Sequence, residues 1–138
     1  MNNNALELRD LWNRLLLSHN IEVCSEELKG CGILELKILK LVYFNSNIKI
    51  KDVLNTLNIP NSTVTNVINR LTKKELLVRE LNSTDLRSFN LKLTEKGSCA
   101  VADHLNAETA IFESILHVLQ DDEKETFVEL FRKIVMNN

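Results

Sequence analysis

Apolar residues recur at helical spacing along most of the chain, broken once by a stretch of alternation near the middle. From Ala5 to Ser18, Leu8, Leu11, Trp12, Leu15 and Leu16 form a broad stripe opposite Glu7, Arg9, Asp10, Asn13 and Arg14, which predicts an amphipathic helix. His19 to Gly32 is polar and carries two glycines, so a loop is expected, with a helical turn at Ser25 to Leu28. Ile33 to Phe44 follows, with Leu34, Ile38, Leu41 and Val42 on a helical spacing and Leu36, Leu39, Tyr43 and Phe44 on the other sides. Such a helix belongs in a core. Asn45-Ser46-Asn47 stops it, Ile48 to Ile50 supplies a short strand, and Lys51 to Leu57 makes the first helix of a helix-turn-helix whose turn is Asn58-Ile59-Pro60.

A second helix is expected from Asn61 to Lys74, with Pro60 fixing its start and Asn61 or Ser62 capping its first free N–H groups. Val64, Val67, Ile68 and Leu71 share one side, which leaves Ser62, Thr63, Thr65, Asn66, Asn69 and Arg70 on the other. The open face is short, uncharged and hydrogen-bonding, then basic. Asn suits adenine and Arg suits guanine in a major groove, and a helix N-terminus favours a phosphate. The competing reading is a solvated face in an Asn-rich chain.

Leu77 to Leu81 and Ser88 to Leu93 are candidate strands, with Leu91 and Leu93 alternating with Lys92, and Asn82 to Arg87 has turn residues without helical period. The pair reads as a hairpin with Arg87 near its tip. An arginine there can enter a narrow minor groove, and Asp85 is placed to hold its guanidinium. Alone, such a pair is a surface contact of little worth.

Thr94 caps the next helix, expected to reach about Leu119, with Val101, Leu105, Ile111, Ile115 and Leu116 apolar. Asp121-Asp122-Glu123 opens a last helix with Phe127, Leu130, Phe131, Ile134 and Val135 on one face. These stripes and that of the first helix need cover, from this chain or from a second copy.

The length of 138 residues suits one domain, residues 1–138, and a hydrophobic content of 44% is ordinary for a soluble protein. The start is polar and no run of about 18 apolar residues occurs, so no membrane partner and a cytoplasmic location are expected. Cys24, Cys31 and Cys99 are an odd number at no zinc-ribbon spacing, which favours reduced thiols. The net charge of −2 hides a division. Residues 47–97 carry nine Lys or Arg against five Asp or Glu, a net +4, whereas residues 98–138 carry three against eight, a net −5. The basic part coincides with the polar-faced helix and the hairpin. His19, His104 and His117 stand at no catalytic spacing, and three glycines make no phosphate-binding loop, so no enzyme is expected.

Residues 61–79, with Asp85-Leu86-Arg87 and Leu93-Thr94-Glu95-Lys96-Gly97, resemble the winged-helix core of the MarR family of bacterial transcription regulators, over roughly residues 48 to 97. The resemblance implies a mainly α fold with a small β-hairpin wing: a winged helix-turn-helix lobe over 33–97 and helical dimerisation regions at 1–32 and 98–138. It implies a homodimer on a pseudo-palindromic double-stranded operator. Ser62, Thr63, Thr65, Asn66, Asn69 and Arg70 would face the major groove, Asp85 and Arg87 would make the wing contact, and Lys92 would add a contact indifferent to sequence. Where the family often has glycine between helix and first strand, this chain has Glu75-Leu76, so a less tight turn is expected.

The expected function is that of a sequence-specific regulator, a repressor released by a small-molecule effector. The resemblance places the effector between lobe and dimer helices, with Trp12, Tyr43 and Phe44 as walls. Two other inputs compete. Cys24, Glu35, Asp103, His104 and Glu108 stand where zinc-responsive members carry ligands, although Leu36 and Glu108 replace two expected histidines. Otherwise no cofactor is expected. Cys24 or Cys31 could sense oxidant, Cys31 through a helix dipole favouring thiolate. A winged-helix module that binds protein, not DNA, is the reading from another class.

Overall fold

The computed structural model describes residues 3–19 and 26–138. Its elements are α1 (Asn3–Ser18), a 3-10 turn (Glu26–Leu28), α2 (Ile33–Phe44), β1 (Ile48–Lys49), α3 (Ile50–Leu57), α4 (Asn61–Lys73), β2 (Leu77–Leu81), β3 (Phe89–Leu93), α5 (Glu95–Leu116) and α6 (Asp121–Met136). The fold is mainly helical, with one antiparallel sheet in the order β1-β3-β2. No described helix is long and apolar enough to cross a membrane.

Two compact units emerge. One ends at Leu105 and holds α2 to β3 with the first turns of α5. Its core joins Ile38, Leu39 and Val42 of α2 to Val53 of α3, the four apolar residues of α4, Leu77 and Leu91 of the sheet, and Ala100 and Val101 of α5. Val64, Val67, Ile68 and Leu71 are at most 1% exposed. Burying each such side chain is worth about 1.5–3 kcal/mol, so this face fixes the rotation of α4 and thereby which residues it leaves outside.

The ends of α4 depart from expectation in two ways. Its N-cap is Pro60, whose carbonyl accepts from the N–H groups of Thr63 and Val64, and no side chain caps it. Asn61 lies inside the first turn, where its Oδ1 accepts from Thr65 Oγ1 at 3.3 Å. At the other end the turn is tight despite the missing glycine. Leu76 N–H reaches Leu71 O at 3.1 Å and Glu75 N–H reaches Thr72 O at 3.0 Å, with Glu75 itself left-handed at φ 61°. This is a Schellman closure in which a glutamate takes the position glycine usually fills.

That closure is tied to α5. Thr94 Oγ1 donates to Glu75 O at 2.6 Å and accepts from Gly97 N–H at 2.9 Å, while Thr94 N–H donates to Leu76 O at 3.1 Å. Thr94 therefore caps α5 as its sequence predicts.

The second unit draws on α1 and residues 106–138. Neither α1 nor α6 has a buried residue. Leu8, Leu11, Trp12 and Leu17 on α1, and Phe127, Leu130, Phe131 and Ile134 on α6, are more than half exposed. A capping box starts α6: Glu123 Oε1 accepts from Gln120 N–H at 2.9 Å, and the Gln120 side chain receives an N–H in return. The helix α5 stops at Leu116, short of the expected Leu119.

Candidate nucleic-acid interface

With its apolar face sunk in the core, α4 leaves Ser62, Thr63, Thr65, Asn66, Asn69 and Arg70 exposed. They form an exposed polar face on the helix, with Asn69 and Arg70 also meeting side chains of β2 and α2. Ser62 and Thr63 stand in the first turn, where the helix dipole favours a phosphate.

Arg70 points back as well as out. Its Nε donates to Glu35 Oε1 at 3.3 Å, and Lys74 Nζ donates to Glu35 Oε2 at 2.7 Å. Glu35 is only 7% exposed, so an acid near the start of α2 anchors the C-terminal end of α4 through two cations. Burial alone would raise the Glu35 carboxyl, but hydrogen bonds from Lys74 and Cys31, the Lys74 charge and the Arg70 bond outweigh it and hold it below its ordinary value. The hydrogen bond to Glu35, reinforced by its charge, pushes Lys74 up. Cys31 lies 3.8 Å from Lys74 Nζ, and burial pushes its thiol up against the pull of that ammonium. The thiolate expected from the helix dipole is thus disfavoured.

The wing is a regular hairpin, with Leu77 opposite Leu93, Arg79 opposite Leu91 and Leu81 opposite Phe89. Opposed residues share a face, so Arg79 belongs to the core side of the sheet beside Leu91. Its guanidinium Nη2 donates to Asn69 Oδ1 on α4 at 2.5 Å, which ties wing to helix. Lys92 is opposite Val78, on the outer face, with Nζ 4.0 Å from Glu80.

At the tip, buried Asn82 sets the shape. Its Oδ1 accepts from Thr84 N–H at 2.9 Å, Thr84 Oγ1 at 2.7 Å and Asp85 N–H at 3.0 Å, and its Nδ2 donates to Asn90 Oδ1 at 3.0 Å. Asp85 Oδ1 accepts from the Arg87 backbone N–H at 3.0 Å, whereas the Arg87 guanidinium lies 3.7 Å away and is 95% exposed. Asp85 therefore orients the Arg87 backbone more firmly than its side chain. Arg79 and Asn82 are contributors that periodicity did not single out. The first needed the strand register and the second its Asn-x-Thr turn chemistry.

The other candidate sites gather less. Tyr43 and Phe44 meet edge to face at 5.2 Å at the end of α2, and Trp12 stands on α1 in the other unit. Cys24 lies outside the described residues, and Glu35 is held by Arg70 and Lys74. Asp103, His104 and Glu108 follow one another on α5. Among the described residues no three His, Cys, Asp or Glu side chains come together as metal ligands.

A helix-turn-helix with an exposed polar second helix, followed by a basic-tipped hairpin, defines a winged-helix DNA-binding protein. Residues 33–89 match the MarR family. The chain is 26% identical over 108 residues to the HTH-type transcriptional regulator MhqR of Bacillus subtilis, a match spanning 78% of this chain and 74% of that one. A MarR-like transcriptional regulator from Thermotoga maritima superposes with a TM-score of 0.80 at 27% identity, covering 99% of this chain and 96% of the other. Streptococcus pneumoniae FabT, solved in complex with DNA, superposes at 0.79 with 20% identity, over 96% and 92% of the two chains. The chain is similar to MarR-family transcriptional regulators, in sequence over residues 33–89 and in fold over nearly all of its length.

Proposed function

We propose that this protein is a cytoplasmic homodimeric repressor that reads a pseudo-palindromic operator and is released by a small-molecule effector. The observation that carries it is the joint geometry of α4 and the wing, a polar helix face beside an exposed arginine tip braced by Asn82 and Asp85. In this reading Ser62, Thr63, Thr65, Asn66, Asn69 and Arg70 enter a major groove, Arg87 enters the adjacent minor groove, and Lys92 adds attraction to phosphate without regard to sequence.

Dimerisation is supported by α1 and α6. Their apolar side chains are exposed in a single chain and are too numerous to stay in water. Two copies put two recognition helices on one duplex, which asks for half-sites about one helical turn apart. That FabT binds DNA with the same fold supports the docking mode.

The test is stoichiometry. Sedimentation of the purified protein with a duplex carrying two half-sites should show two chains per duplex, with a sharp loss of affinity when five base pairs are inserted between the half-sites. One chain per duplex, or indifference to the insertion, refutes the dimeric reading.

A further inference from the structure

The contact between Arg79 and Asn69 bears on which base the recognition helix reads. A guanidinium carries donors and no acceptor, so the atom it meets on Asn69 must be the amide oxygen. The orientation of that amide is thus fixed by chemistry. An asparagine reads adenine with both ends, Oδ1 accepting from N6 and Nδ2 donating to N7. In Asn69 the oxygen is already engaged by a cation, which also repels the partly positive N6 amino group. Only the two N–H donors of Nδ2 remain, and the base edge that offers two acceptors to them is guanine, through N7 and O6. Asn66, one turn earlier on the same exposed face, has no side-chain partner among the described residues and keeps both ends of its amide.

We propose that Arg79 is a specificity-setting residue that acts through Asn69, fixing it as a donor so that α4 favours a G·C pair beneath it and leaves adenine reading to Asn66. This rests on the reading of α4 as the helix that enters the major groove. Arg79 is a positioning residue in that scheme, since its effect on the base passes through the amide it holds.

Selection of duplexes from a random pool by the full-length protein and three variants tests it. Asn69→Ala identifies the position, as the one where base preference disappears. There the parent should favour G·C over A·T by about tenfold. Arg79→Met, which keeps a long side chain and frees the amide oxygen, should shift that position toward A·T. Asn69→Asp keeps a partner for Arg79 and therefore the parent's melting temperature, but it removes both donors and should abolish the G·C preference. A parent that favours A·T there overturns the proposal, as does an Arg79→Met profile equal to the parent's, or an Asn69→Ala variant weakened equally on every sequence. If the parent selects no motif at all, the DNA reading fails and the proposal falls with it. A motif that persists with unchanged preferences removes the proposal alone.

Discussion

Lys74 Nζ, at the C-terminal end of α4, donates to the carboxylate of Glu35 on α2 at 2.7 Å, and this contact fixes the end of α4 against the core. Glu35→Ala should cost about 1–2 kcal/mol, less than a fully enclosed pair would, because Lys74 and Arg70 can turn to water. Denaturant titration of both proteins measures it.

The same pair gives the protein a pH signature. The folded Glu35 carboxyl lies below its reference value of 4.5, so its contribution is fully present above about 4.5 and is lost as pH falls through the folded value. Lys74 is raised above 10.5, so its contribution is present below that value and is lost as pH rises through the folded one. Melting curves should show the parent more stable than Glu35→Gln at neutral pH, with the gap closing in acid. A constant gap from pH 3 to 7 would contradict this assignment.

Gly97 sits where any Cβ would overlap the Leu76 carbonyl, the same carbonyl that accepts from Thr94 N–H. Gly97→Ala should force α5 away from the turn after α4 and lower stability by roughly 1–3 kcal/mol. A variant with unchanged denaturation midpoint would show that the approach is not close.

Glu75 holds a left-handed conformation at φ 61° that costs a residue with a side chain roughly 1–2 kcal/mol. Glu75→Gly should therefore stabilise the protein by roughly 0.5–1 kcal/mol, part of the relief being offset by glycine's greater unfolded freedom. DNA affinity should be unchanged, because the backbone bonds of the turn remain.

These elements differ in how far the sequence shows them. The buried face of α4 is legible because Val64, Val67, Ile68 and Leu71 follow the helical period, and the strands are legible to within a residue because alternation and turn residues agree. The tight turn at Glu75 is not legible, since propensity assigns left-handed turns to glycine while the Schellman bonds and the Thr94 anchor hold a glutamate there. In the sequence Glu35 stands as a candidate metal ligand, but its partners Arg70 and Lys74 are 35 and 39 residues away, and pairing at that distance leaves no periodic trace. Arg79 and Asn69 meet only once the register Arg79 to Leu91 is known.

On the proposed docking, in which Arg87 enters the minor groove, Arg87→Ala should weaken operator binding by roughly 1–3 kcal/mol. Asn82→Ala should weaken it too, without touching DNA, because four hydrogen bonds shape the tip that carries Arg87. Combining the two should cost less than the sum of the single losses, and full additivity in binding assays would separate the tip's shape from the arginine.

Asn66→Ala should relax sequence preference, and Lys92→Ala should lower affinity slightly for all sequences alike. Lys92 is on the outer face of the wing beside Glu80, so its loss should be the smaller in any single duplex. Competition between cognate and scrambled duplexes distinguishes the two outcomes.

The most direct measurement is a fluorescence-anisotropy titration of the purified protein against DNA from upstream of its own gene and against a scrambled duplex, at several salt concentrations. A sequence-specific regulator binds the upstream DNA more tightly at every salt, and its affinity falls steeply as salt rises because Lys and Arg displace counterions from phosphates. Equal, weak and salt-insensitive binding to both duplexes would contradict regulation at that DNA and point the polar face of α4 toward a protein partner.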